Sequence, residues 1–396
     1  MRLSACVLAV AVLSPFAARA QTPPEGAPPA APPPAAAPPP AAVVVAPPPP
    51  PPPAAPAAPP AKTWKDLLTV EGLVDTYYLW NFTGSTSLTP PGGRQFDQLS
   101  NTFALNYAKL GLGVNADPAG LRIDLGYGAT GKIINGAIPQ DGSTEAFVIQ
   151  QAYATIMPVA NLTLDFGKFV TTAGAEVIEA NKNWLYSRSI LFASIPLLHT
   201  GVRATYKVSD ALTLQASVIN GWNGTGTSVD LTKDKTFGVS INYTVPGVGT
   251  NIIATGYFGK GEDDLAGTGT PSTDTRVLAD LVIAHTVGAL GLNLNFDYIN
   301  DKVGGYDGFV GVAPMAHFAI NDHVAASARF EYAKNGSNHL IEGTVNLGIG
   351  LGGHFEFRPE IRVDNANVAA FDPTGTPPVP QDKTQVTGTA AFLAWF

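Results

Sequence analysis

The chain has 396 residues with 23 Lys and Arg against 31 Asp and Glu, a formal net charge of −8 and a pI near 5.2. That acidic balance argues against nucleic acid as a partner, since phosphate backbones recruit basic faces. Charged residues are only 14% of the chain, below the roughly 25% usual for soluble domains. Beyond residue 20 no uninterrupted apolar run reaches the ~18 residues that a membrane-crossing helix needs.

The first twenty residues read as a secretory signal. Arg2 supplies the positive start, residues 3–16 the apolar stretch, and Ala18-Arg19-Ala20 a small-x-small cleavage site before Gln21. The one cysteine, Cys6, lies inside this segment, so the mature chain is expected to hold no disulfide. Without Arg2 and Arg19, 21 basic residues face 31 acidic ones, a net charge of −10. Residues 21–61 are almost wholly Pro and Ala. They cannot bury a core, and proline fixes φ near the polyproline II value, which predicts a disordered, extended periplasmic linker. At about 3.1 Å per residue such a linker reaches on the order of 100 Å. It is either a tether toward peptidoglycan or a periplasmic partner, or a passive spacer. The expected organisation is therefore 1–20 signal peptide, 21–61 linker and 62–396 folded unit.

From Trp64 onward the pattern has period two, the mark of strands whose successive side chains point to opposite faces. Residues 68–80 set Val70, Val74, Tyr78 and Trp80 against Glu71, Asp75 and Tyr77. Strands follow over 102–114, 121–127, 146–157 and 162–170. A long loop covers 171–198. Val202, Ala204 and Tyr206 then alternate with Arg203, Thr205 and Lys207, and Leu212, Leu214 and Val218 with Thr213, Gln215 and Ser217. Further strands are expected near 237–243, 250–260, 274–286, 291–301, 308–320, 324–334, 340–351, 354–364 and 385–396.

That makes sixteen strands, joined by seven tight turns and eight longer loops in strict alternation. Short turns on one side and long loops on the other predict a transmembrane antiparallel β-barrel. The aromatic positions fit two interfacial girdles. Tyr78, Trp80, Tyr127, Tyr298 and Tyr332 fall near the outer strand ends, and Tyr206, Tyr243 and Phe396 near the inner ones. Residues 354–364, HFEFRPEIRVD, show the two faces most clearly. Phe355, Phe357, Ile361 and Val363 alternate with Glu356, Arg358, Glu360, Arg362 and Asp364.

A charge facing lipid near the bilayer midplane costs about 2–4 kcal/mol, so the ionic set belongs in the lumen. Arg122, Asp124, Arg203, Arg329 and Glu331 join the 354–364 ladder there. They are candidates either for a field that sorts solutes or for an ion-pair network that holds strand register. The loop at 171–198 carries Glu176, Glu179 and Arg188, and folding inward would place them at a constriction.

Other motifs carry less. GYGATGK at 126–132 matches a phosphate-loop pattern, but a phosphate site needs a helix opening at its last glycine, and the sequence reads as a loop. The six histidines show no HxxxH or HExxH spacing, so no metal is expected. No GxSxG elbow is present, which argues against an esterase. Glu262-Asp263-Asp264 reads as solvated surface rather than a calcium site.

FGKF at 166–169, followed by TTAGAEVIEANKNWLYSRSILF and HTGVRATY at 199–206, resembles the β-barrel porins of the OmpL-like family of Gram-negative outer membranes. AYATI at 152–156 and RPEIRVD at 358–364 fit the same resemblance, which spans roughly 64–396. It implies an outer-membrane pore without defining a solute. It implies no cofactor, and as surroundings outer-membrane lipid, with oligomers allowed. The last strand, QVTGTAAFLAWF, ends in an aromatic. Phe392, Trp395 and Phe396 resemble the signal read by the outer-membrane barrel assembly machinery. The function expected is passive diffusion of small hydrophilic solutes or ions, weakly cation-selective from the acid excess. The alternative is a non-conducting structural anchor tethered by the Pro/Ala arm.

Overall fold

The computed structural model describes residues 67–83, 94–136, 146–221, 234–260, 275–301, 305–374 and 379–396. The expected signal peptide and linker, and Glu262-Asp263-Asp264, lie outside the described residues. Within them, sixteen antiparallel strands close into a barrel. These are β1 (Leu68–Asn81), β2 (Phe103–Ala116), β3 (Ala119–Tyr127), β4 (Phe147–Val159), β5 (Leu162–Val170), β6 (Leu198–Lys207), β7 (Leu212–Asn220), β8 (Lys235–Val245), β9 (Thr250–Lys260), β10 (Thr275–Val287), β11 (Leu290–Asp301), β12 (Tyr306–Ala319), β13 (Val324–Asn335), β14 (Asn338–Gly350), β15 (Phe355–Ala366) and the last, β18 (Thr384–Trp395). A separate two-stranded hairpin, β16 (Phe371–Thr374) with β17 (Val379–Asp382), sits in the loop before β18.

Every strand pairs with its sequence neighbours in the barrel, and β1 pairs with β18 to close it. The chain end completes that seam, because Phe396 and Gly72 exchange two backbone hydrogen bonds of 3.1 Å. The period-two pattern sorts as the physics requires. Val74, Leu110, Val239, Phe258, Val345 and Ile361 are exposed on the outer wall. Asp124, Asp297, Glu331 and Arg362, of opposite parity, are buried inside. The girdle residues Trp80, Tyr127, Tyr298, Tyr206, Tyr243 and Phe396 are all exposed outward, where a ring meets lipid and its polar edge meets water.

Three local expectations need correction. The strict alternation of loop lengths fails twice on the long-loop side: the connection between β11 and β12, 302–305, is no longer than the opposite turns, and β13 and β14 meet in a tight hairpin at Gly336-Ser337. The Asn335-Gly336 dipeptide explains the hairpin: Gly336 has φ +58°, the left-handed backbone that two-residue hairpins require. The hairpin β16–β17 was not expected at all. GYGATGK does not continue as a loop, because Ala129–Ile134 forms a short helix, α1. Gly128 with φ +131° turns the chain into it. Its six residues back onto the Ala146 carbonyl, 2.0 Å from where a side chain at Gly131 would begin. A carbonyl oxygen at that turn repels phosphate rather than cradling it.

Candidate functional site: the inward loop

Between β5 and β6, residues 171–197 leave the wall and enter the barrel. The segment carries a 3-10 turn (Ala180–Lys182) and a five-residue helix, α2 (Ile190–Ser194). Ser189 caps α2 by accepting from the Phe192 N–H at 2.9 Å, which satisfies one of the free amides of its first turn. Hydrophobicity drives the entry. Ile178, Leu185, Ile190, Leu191, Phe192 and Ile195 are each 5% exposed or less. They share one cluster with inward side chains of the wall, including Tyr107 on β2, Phe169 on β5, Tyr257 on β9, Ile299 on β11 and Leu340 on β14. The lumen at this level holds a packed core.

A loop inside a barrel must still satisfy its peptide groups away from bulk water. The wall does this with charged side chains at inward positions. Glu360 on β15 accepts from the Tyr186 and Ser187 amides at 2.7 and 3.0 Å. Glu331 on β13 accepts from Ile190 and Leu191 at 2.8 and 2.7 Å. Asp280 on β10 and Asn295 on β11 accept from Gly174 and Ala175 at 3.1 and 3.2 Å. The basic groups take the carbonyls. Arg358 donates to Ala180 and Asn183, each at 3.0 Å, Arg329 to Ser187 at 2.9 Å and Arg362 to Arg188 at 2.6 Å. Charge-assisted bonds of this kind are roughly twice as strong as neutral ones.

Side chains of the loop add further ties. Glu176 pairs with Arg329 at 2.9 Å and accepts from Ser189 N at 2.9 Å. Arg188 donates to the Ile178 and Tyr186 carbonyls, folding the loop on itself. Glu179 meets the Lys109 ammonium and the Gln150 amide. Burial pushes the Glu179 carboxyl up, but Lys109 outweighs it and leaves the group below the usual carboxylate range. Tyr186 donates to Asp75 at 2.8 Å. Burial and then the Asp75 charge hold its hydroxyl well above the ordinary phenol value, so it stays a neutral donor.

Among the thirteen charged residues singled out from sequence, ten are buried: Asp124, Glu176, Glu179, Arg188, Arg329, Glu331, Arg358, Glu360, Arg362 and Asp364. Arg122, Arg203 and Glu356 are half-buried. Wall pairs join many of them: Arg122 with Glu71 at 2.5 Å and Asp124 at 2.6 Å, Arg203 with Asp165 at 2.8 Å, Arg358 with Glu356 at 2.8 Å, and Arg362 with Asp364 at 2.7 Å. Sequence reasoning set Asp75 on the polar face of β1 without singling it out, and missed Lys109, Asp280, Asn295 and Glu342. Alternation on β10 and β11 carried a signal for Asp280 and Asn295, both at inward parity. Of the proposed assembly residues, Phe392 and Phe396 are exposed outward, whereas Trp395 takes the inward parity and packs against the interior clusters.

A closed, lipid-faced barrel of sixteen strands with a loop folded into its lumen defines an outer-membrane protein of porin type. The chain belongs to the family described as beta-barrel porin-2, OmpL-like, whose profile matches residues 67–396. Its place is the bacterial outer membrane. The fold is shared with OprB of Pseudomonas putida at 11% identity and TM-score 0.56, over 84% of this chain and 95% of that one. OmpF of Salmonella typhi matches at 12% identity and TM-score 0.54, over 83% and 97%. OmpT of Vibrio cholerae matches at 11% and 0.52, over 83% and 97%. A comparison with curated proteins gives no match.

Proposed function

We propose that the protein is a diffusion porin of low permeability for small hydrophilic solutes or ions, in which residues 171–197 set the constriction. The observation that carries this is the network of wall carboxylates and guanidinium groups around the backbone of that loop, which fixes a single inward position for it. Arg122, Arg203 and the 354–364 ladder, with Glu176, Glu179 and Arg188, act here chiefly by building the constriction. The acid excess of the whole chain favours cations. Inward and rim charges that keep water contact, Arg122, Lys182, Arg203 and Lys207 with Glu71, Asp210, Asp322 and Glu356, balance one another and add nothing to that preference. The expected selectivity is therefore weak.

One observation favours the alternative of a non-conducting anchor: the apolar cluster that spans the lumen around Leu191. Planar bilayers decide between the two. A porin gives small, steady single-channel steps that grow severalfold when residues 174–190 are replaced by a short Gly-Ser linker. An anchor gives no steps in the wild type. A reversal potential displaced strongly to the anion side under a salt gradient would sink the cation preference. The Pro/Ala arm as a tether to peptidoglycan is a separate proposal, tested by co-sedimentation of the full chain with purified sacculi.

A further inference from the structure

Residues 171–175 carry the inward loop off the wall past β9, β10 and β11. Tyr257 on β9 accepts from the Thr172 amide at 3.3 Å, and Thr255 donates to the Thr172 carbonyl at 3.2 Å. Gly174 then turns the chain with φ +88°, a left-handed backbone that glycine adopts without steric cost. The turn hands the next two amides to the wall, Gly174 to Asp280 on β10 and Ala175 to Asn295 on β11.

Those two acceptors share a third inward side chain. Asp297 on β11 stands directly opposite Asp280 in the strand register. Asp280, Asn295 and Asp297 are each 4% exposed or less. The Asn295 amide donates to Asp280 at 2.8 Å and to Asp297 at 3.3 Å. The two carboxyl groups lie within hydrogen-bonding reach of each other. The second oxygen of Asp297, Oδ2, is shielded from solvent and receives no donor.

No cation answers this pair among the described residues. On β10, Arg276 is engaged by Asp301, and on β13, Arg329 is engaged by Glu176 and Glu342. The register neighbours on the two flanking strands, Thr255 on β9 and Gly311 on β12, are uncharged. The other titratable groups that face the pair are the Tyr257 hydroxyl on β9, which serves the loop at Thr172, and Glu331 on β13, a further acid. Two buried carboxylates within hydrogen-bonding reach and without a counter-charge cannot both ionise. One proton held between them removes the repulsion and neutralises the carboxyl whose oxygen has no donor.

We propose that Asp280 and Asp297 share one proton, and that this proton latches the first arm of the inward loop to the wall, so that alkali loosens the constriction. When the arm lifts, water reaches both carboxyls and both ionise at ordinary carboxylate values. Latching therefore takes up a proton. It is fully favoured below the ordinary carboxylate range, and above it each pH unit weakens the latch by up to about tenfold, until the latched pair itself ionises.

The current readout of this latch rests on the porin reading above, and a second readout does not. Single-channel conductance of the full-length protein is measured in planar bilayers from about pH 5 to about pH 9, above the carboxylate range. Hydrogen-exchange protection of the Gly174 and Ala175 amides is measured in detergent over the same range, corrected for the intrinsic rate at each pH. In wild type, conductance should rise and protection should fall severalfold as pH increases. In Asp297→Asn a side-chain amide that does not titrate replaces the shared proton, and both curves should be flat. Wild-type protection that stays constant across the range overturns the latch, whatever the variant does. The same pH response in wild type and Asp297→Asn also overturns it and moves the titration to Glu331 or Tyr257. Protection that follows sodium or calcium concentration instead of pH assigns the pair to a bound cation and overturns the shared proton. Absence of current at every pH overturns the porin, and the exchange measurement still decides the latch.

Discussion

Glu360 shows how one carboxylate can act on a whole loop. It is buried, and its two oxygens receive the Tyr186 and Ser187 amides. In Glu360→Ala both amides lose their partner inside a closed interior, at about 1–3 kcal/mol each. The expected outcome is faster hydrogen exchange at Tyr186 and Ser187 and a larger single-channel conductance, with the barrel still folded. Exchange unchanged at those two amides would show that the loop holds its place without the carboxylate. Glu179 makes a pH-dependent tie. Lys109 keeps its folded pKa below the ordinary carboxylate value. A depressed pKa gives stability that is fully present above the ordinary value and is lost as pH falls through the lower, folded one. Wild type should therefore lose more thermal stability than Glu179→Gln when detergent solutions are taken from neutral pH to below the ordinary carboxylate range. Parallel losses in the two proteins would remove Glu179 from the account.

At the scale of elements, β12 and α2 meet where Gly311 leaves room for Leu191. A side chain begun at Gly311 would stand 2.4 Å from Leu191 Cδ1, and Leu191 is fully buried. Gly311→Val should push α2 off the wall at the roughly 1–3 kcal/mol that overpacking costs. Limited trypsin digestion should then reach Arg188, buried in the wild type. Continued protection would mean that α2 does not depend on this contact. Strands such as β12 were legible in the sequence because alternation is a local signal, repeated over many residues. The Asn335-Gly336 hairpin is a local signal too, but a strict alternation of loop lengths has no place for it on the long-loop side. The docking of 171–197 was legible only as a position and a length. Its partners are backbone amides, which every residue possesses, so nothing in the spacing of Glu331 or Glu360 distinguishes a loop clamp from a charge facing water. Gly311 is silent for the same reason: its role lies in what a distant leucine needs.

For the whole molecule, closure is the step that turns sixteen marginal strands into one object without edges. The seam is β1 against β18, and Phe396 finishes it by exchanging two backbone hydrogen bonds with Gly72. Its ring lies over Gly72, at 2.1 Å from where a side chain there would begin, while remaining 70% exposed on the outer wall. The contact is therefore small in energy. Two backbone hydrogen bonds at about 1 kcal/mol each, net, are all that the seam loses if Phe396 is removed. We propose that Phe396, together with Phe392 on the same outward face, serves recognition during assembly more than the stability of the seam. Deleting Phe396 separates the two roles. Barrel refolded in detergent should lose only about 1–2 kcal/mol of stability in denaturant titrations. In cells, the amount of folded barrel in the outer membrane, scored by heat-modifiable gel mobility, should fall severalfold. A large loss of stability in detergent with proportionate loss in cells would instead make Phe396 a structural clasp.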